Sequence, residues 1–164
     1  MIEIIPFRKE FQDQLVKLIL DIQQLEFNVP ITAADQPDLF IIDDFYRKNG
    51  GEFWLAVSEN KVVGSIALIR IGNQSGVIRK MFVSKDFRGK ESGIAQRLFD
   101  HMLGYCAQND VTTLYLGTVS QLAAALRFYE RNGFVTVSKE SLPADFPIMQ
   151  VDNVFCKLTI EKQM

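Results

Sequence analysis

Residues 83–95 read V-S-K-D-F-R-G-K-E-S-G-I-A and join an apolar, strand-like run at 77–83 (V-I-R-K-M-F-V) to an amphipathic helix. Beyond Gly93 the apolar residues Ile94, Leu98, Met102 and Tyr105 recur at helical spacing, which places the glycine-containing loop at a helix N-terminus. The first amides of a helix have no intrahelical acceptor, and the helix dipole puts partial positive charge there. Such a loop can therefore grip a pyrophosphate through the backbone alone. Gly89 and Gly93 allow close approach, and Arg88 and Lys90 add formal charge. Neither G-x-x-x-x-G-K-[ST] nor G-x-G-x-x-G is present, so neither of the two familiar nucleotide-binding loops explains it.

A second segment narrows the reading. Residues 125–134 read A-L-R-F-Y-E-R-N-G-F, a helix closed by Asn132-Gly133 before the chain enters a strand. Taken together, the two segments resemble the GNAT superfamily of acyl-CoA-dependent N-acyltransferases, whose V-x-P-x-x-R-G-x-G-x-G/A loop precedes A-x-x-F-Y-E-x-x-G-F by about one strand and one helix. The resemblance covers residues 50–138 by motif and the remainder by architecture.

The resemblance implies acetyl-CoA as the acyl donor. It implies a cofactor cradle formed by Arg88, Gly89, Lys90, Glu91, Ser92, Gly93, Ile94 and Ala95, with the backbone of Met81, Phe82 and Val83 beside the thioester. Phe128 and Arg131 are expected against the coenzyme, and Thr118 or Ser120 in place of the asparagine that the family often carries where this chain has Leu122. Tyr129 stands at the position of the family's tyrosine, whose phenol can protonate the departing thiolate. Many relatives place a glutamate on the fourth strand as base, whereas this chain has Val77 and Arg79 at the corresponding positions. A lysine-type amine has a pKa of about 10.4, so well under about 1% is neutral at pH 7 and some base is needed. Glu26 and Asp152 are the candidates. The phosphate loop also departs from the pattern, with three residues (Lys90, Glu91, Ser92) between Gly89 and Gly93 where the family has one.

The remaining chain alternates. Residues 2–6 read as a strand and 11–25 as an amphipathic helix, with Phe11, Leu15, Leu18, Ile19, Ile22 and Leu25 on one side. Residues 38–48 form a second expected helix with Asp38 as N-cap, and 52–58 and 61–71 a hairpin. Residues 72–76 should turn into the strand at 77–83. Further strands are expected at 113–118, 134–138 and 151–160, with a helix at 121–132. The expected class is α/β (an α+β mixed sheet) in the order β-α-α-β-β-β-α-β-α-β-β, with the fourth and fifth strands splayed around the cofactor as in the resembled family.

Composition agrees without deciding anything. The 164 residues are 48% apolar, enough for a single domain spanning 1–164 with a core that needs no staples. No run approaches the ~20 apolar residues of a membrane span, and the start M-I-E-I-I-P lacks a basic signal region, which suggests a cytoplasmic protein with no membrane partner. A net charge of −2 and a pI near 5.4 give no pull toward nucleic acid. Cys106 and Cys156 read as core residues and His101 as a solvated one; no metal-ligand spacing occurs.

The acceptor is expected to be a small-molecule amine or amino acid. It would be met by an acidic, aromatic surface of Glu26, Phe27, Asp35, Asp38, Asp43, Asp44, Phe45 and Tyr46 from one side, and Asp145, Phe146 and Asp152 from the other. The alternatives are a non-catalytic acyl-CoA sensor, a transferase for another acyl group, or one for a protein amine. Oligomeric state is open, with the apolar terminal strand able to support a homodimer.

Overall fold

The computed structural model describes residues 1–89 and 93–160. Its centre is a seven-stranded mixed sheet of order β1-β2-β3-β4-β5-β7-β6. The strands are β1 (Ile2–Pro6), β2 (Glu52–Ser58), β3 (Lys61–Ile71), β4 (Ser75–Val83), β5 (Thr113–Thr118), β6 (Val135–Val137) and β7 (Val154–Thr159). Among the described residues three α-helices cover it: α1 (Gln12–Leu20), α2 (Ile94–Gln108) and α3 (Ala123–Arg131). This is the expected mixed α/β fold, except that the second expected helix is broken.

Residues 53–57 (F-W-L-A-V) are buried throughout because β2 has a packed layer on each face. Phe53, Leu55 and Val57 meet Phe11, Leu15 and Ile19 on one face. Trp54 and Ala56 meet Leu98, Phe99 and Met102 of α2 on the other. The single α-helical period read for 11–25 does not persist. After Leu20 the chain enters a π-helical turn, Asp21–Glu26, whose extra residue rotates the stripe so that Leu25 is 76% exposed and Glu26 turns toward Arg88.

The stretch read as one helix at 38–48 is a 3₁₀ turn, Pro37–Phe40, followed by a π-helical turn, Asp43–Arg47. Asp38 does not cap it. Its carboxylate is buried, accepts a 2.5 Å bond from the Tyr46 hydroxyl and lies 3.8 Å from Lys80 Nζ. Burying that ion pair outweighs a regular helix here, because an unpaired buried charge costs more than a few distorted backbone bonds. Strand β4 begins at Ser75, two residues earlier than the pattern suggested, and α3, β6 and β7 are each slightly shorter than expected.

Two features of β4 position the site. Its parallel pairing with β5 runs from Ser75↔Thr113 to Ile78↔Leu116 and stops, so Arg79–Val83 has no partner on that side. Against β3 the register shifts between Ser65 and Ala67, and Lys80 takes a left-handed φ of 54°. This is a β-bulge, and bulges bend a strand and re-aim its side chains. The Ser65 hydroxyl pins it by donating to the Lys80 carbonyl at 2.6 Å. The terminal strand β7 lies between β5 and β6, with both edges occupied. The outer edges of the described sheet belong to β1 and β6.

Candidate active site

A cavity of about 460 Å³ opens where β4 parts from β5, between the N-terminus of α2 and the side of α3. Gly93, with φ 59°, precedes α2, and the first helical bond runs from Arg97 N–H to the Gly93 carbonyl at 2.9 Å. The amides of Ile94, Ala95 and Gln96 therefore have no acceptor within the helix, and all three residues line the cavity. Arg88 and Gly89 close this end, while Met81, Phe82 and Val83 form the opposite wall. Alternate amides along that unpaired side of β4 have no strand acceptor. A diphosphate fits the helix end and an extended amide-bearing chain fits the strand edge, so these residues suit coenzyme A. Phe128 and Arg131 also line this cavity. Lys90, Glu91 and Ser92 lie outside the described residues.

A second cavity, of about 90 Å³, adjoins the first. Met81, Phe82, Leu122, Ala125 and Tyr129 line both. Tyr129 is packed in an aromatic cluster with Phe128 and Phe134, at centroid distances of 5.9 and 5.5 Å. Its hydroxyl makes no hydrogen bond to protein among the described residues, and burial pushes the phenol's pKa up, helped by Cys156 and Asp152. Thr118 faces the smaller cavity rather than the larger one. Ser120 is tied to Asn153 by a 2.9 Å backbone bond and a 3.4 Å side-chain bond.

The two base candidates have opposite surroundings. Glu26 is held by both terminal nitrogens of Arg88, one at 2.7 Å, and these bonds draw its carboxyl below the ordinary range. Asp152 lines the smaller cavity, and burial raises its carboxyl to about 6 against the pull of Arg79 and Lys80. Its carboxylate lies against the bare Cα of Gly117, where a Cβ would sit 2.6 Å from Oδ2.

Most of the expected acidic acceptor surface is elsewhere. Asp35 closes a turn with Thr32, Asp43 and Asp44 pair with Arg47 and Lys48, and Asp145 accepts from the Gly72 amide. Phe27 lies under the Arg88 guanidinium at 5.6 Å, and Phe146 is in the core. Sequence reading missed the cationic floor. Lys80 is buried, hydrogen-bonds Gln36 at 2.5 Å, and has its ammonium lowered to about 8 by desolvation. Gln36 in turn pairs with Gln23 at 2.9 and 3.1 Å. The available signal was a lysine inside an otherwise apolar strand. Cys106 and Cys156 are buried free thiols, and His101 is exposed on α2.

Residues 16–134 match the model of the acetyltransferase (GNAT) family. The chain belongs to the GNAT family. It is an acyltransferase by that membership, and the expected resemblance and fold hold. A GNAT-family acetyltransferase from Staphylococcus aureus Mu50 superposes with a TM-score of 0.95 at 37% identity, over 98% of this chain and 100% of that one. Among curated proteins it is 36% identical to the N-acetylaspartate synthetase of Xenopus tropicalis over 107 residues, 63% of this chain and 38% of that protein. It thus spans under two fifths of that relative. The PaiA N-acetyltransferase of Thermoplasma acidophilum, solved with coenzyme A, shares the GNAT fold at a TM-score of 0.75 and 14% identity, covering 97% of this chain and 99% of that one. Among the described residues of this GNAT chain, no helix is long and apolar enough to cross a membrane.

Proposed function

We propose that this protein transfers the acetyl group of acetyl-CoA to the amine of a small molecule by direct attack within a ternary complex. The observation that carries the reading is Tyr129, whose ring is buried and whose hydroxyl, without a protein partner among the described residues, opens where the two cavities meet. A pure binding module has no use for a proton donor there.

In this reading the larger cavity holds the coenzyme, with the Ile94, Ala95 and Gln96 amides and Arg88 on the pyrophosphate. The smaller cavity holds the acceptor. Asp152 takes one proton from the acceptor ammonium, and the freed amine adds to the thioester carbonyl. A backbone amide of Met81–Val83 meets the oxyanion that develops there. As the C–S bond breaks, Tyr129 donates its proton to the sulfur while the nitrogen, positively charged since its addition, releases its surplus proton to solvent and leaves a neutral amide; the phenolate then regains a proton from solvent and Asp152 returns its own there. Asp152 is preferred to Glu26 because a base must be unoccupied and close to neutrality in pKa, and Glu26 is neither. The names of the curated relatives make L-aspartate the first acceptor to assay.

The first test is a thermal melt with acetyl-CoA. At a hundredfold excess over Kd, binding adds about 2.7 kcal/mol, which raises the midpoint of a domain this size by roughly 5–10 °C. Gly93→Trp should abolish that rise, because the indole would occupy the helix end and Gly93 is in a left-handed conformation. An unchanged rise in that variant would move the phosphate site elsewhere. Thiol release with an amine panel then reads the transfer itself.

Gly117→Ala probes the base without touching its chemistry. The new Cβ must displace the Asp152 carboxylate, so turnover should fall about tenfold or more while the acetyl-CoA melt shift stays as in wild type. Full turnover in a folded Gly117→Ala protein would argue against a catalytic Asp152.

A further inference from the structure

We propose that the acceptor carries a carboxylate beside its amine, that Arg79 binds this carboxylate, and that the acceptor class is therefore a free amino acid. This rests on the acetyl-transfer reading above and adds the substrate class and the residue that selects it.

Adjacent residues of a regular strand point to opposite faces of the sheet. Arg79 and Lys80 do not, because the bulge intervenes. Lys80 reaches Gln36 and Asp38 in the segment between α1 and β2, and Arg79 reaches Met149 in the segment before β7. Both line the same 90 Å³ cavity, and both act on the Asp152 carboxyl. A strand that buried its cations simply for packing would not need two on one face.

Their partners differ. Lys80 is satisfied by Gln36, with Asp38 behind it. Arg79 is half-buried, and its one hydrogen bond among the described residues is to Met149 Sδ at 2.8 Å. A thioether is a weak acceptor for a fork of five N–H donors. A carboxylate would take two of those donors in parallel, the pairing for which guanidinium is best shaped.

The same cavity contains Asp152, suited to an ammonium. A cation and an anion lining one small cavity match a zwitterion whose ammonium and carboxylate are separated by a single carbon. A polypeptide N-terminus has an amide in place of that carboxylate, and a lysine side chain in a protein has none nearby. A volume of about 90 Å³ also leaves little room for a continuing chain.

The experiment compares L-amino acids, aspartate first, with their α-carboxamides in acetyl-CoA-dependent thiol release by wild type, Arg79→Gln and Arg79→Lys proteins. Wild type should prefer the best amino acid over its carboxamide by at least tenfold in kcat/KM. Arg79→Gln should cut that ratio about tenfold or more, chiefly through KM, and Arg79→Lys should restore part of it. Equal ratios in wild type and Arg79→Gln, or a wild-type preference for carboxamides, would overturn the proposal. No thiol release with any acceptor would defeat the transfer reading instead. The proposal is then decided by equilibrium binding of the same pairs to the coenzyme A-saturated protein: tenfold tighter binding of the acid by wild type, lost in Arg79→Gln, supports it, and equal or absent binding overturns it.

Discussion

Tyr129→Phe is expected to lower turnover by about 10²-fold or more, at the lower end of what general acids contribute because a thiolate leaves without much help. The substitution removes one oxygen from an aromatic cluster and leaves the contacts to Phe128 and Phe134 in place. Because the hydroxyl has no protein partner among the described residues, no buried donor is orphaned by its loss. The melting temperature and the acetyl-CoA-induced rise should therefore match wild type. Burial keeps the phenol protonated well beyond the working pH range, so the acid is ready at every turnover. Wild-type rates from Tyr129→Phe, measured where the chemical step is limiting, would remove Tyr129 from the mechanism.

The second large effect is expected at Asp152, and it has two separable signatures. With its carboxyl at about 6, wild-type kcat/KM for the acceptor should rise about tenfold per pH unit below 6 and level off above it. Asp152→Asn should lose about 10²-fold at pH 7 and show no break near 6, since its acceptor must arrive already neutral and the rate keeps climbing with pH. Stability moves the other way. Folding raises this carboxyl above its ordinary 3.8, so the folded state binds more protons than the unfolded state between roughly pH 4 and 6. Wild type therefore loses stability as pH rises through that window and does not regain it above. The melting-temperature difference, variant minus wild type, should be larger at pH 8 than at pH 4. A variant that keeps the break at pH 6 would assign it to another group.

These two residues mark how far the chain could be read in advance. Tyr129 was visible because F-Y-E-x-x-G-F is a local pattern, with the helix, its glycine stop and the aromatic neighbours all within ten residues. The glycine-containing stretch proposed to hold the pyrophosphate was readable for the same reason, since its motif is local too. Choosing between Glu26 and Asp152 was not possible locally. Arg88, which neutralises Glu26, is 62 residues away, and the burial that raises Asp152 comes from strands and loops drawn from across the chain. The acidic surface read around residues 35–46 was misassigned because each carboxylate had a cation or amide partner that only folding reveals.

Sequence by itself determined the order of the strands and of α1, α2 and α3, the sheet covered on both faces, and the position of the α2 N-terminus. Those follow from apolar period, turn residues and spacing, which act over a few residues at a time. Tertiary structure decided the π-helical turn that sends Glu26 to Arg88, the broken second helix around Asp38, and the bulge that sets Arg79 and Lys80 on one face. Each of these is a local irregularity stabilised by a distant partner: Arg88 for Glu26, Tyr46 and Lys80 for Asp38, and Ser65 for the bulge. Charges buried in a medium that solvates them poorly must find such partners, and no short-range pattern in the chain records where the partners will be.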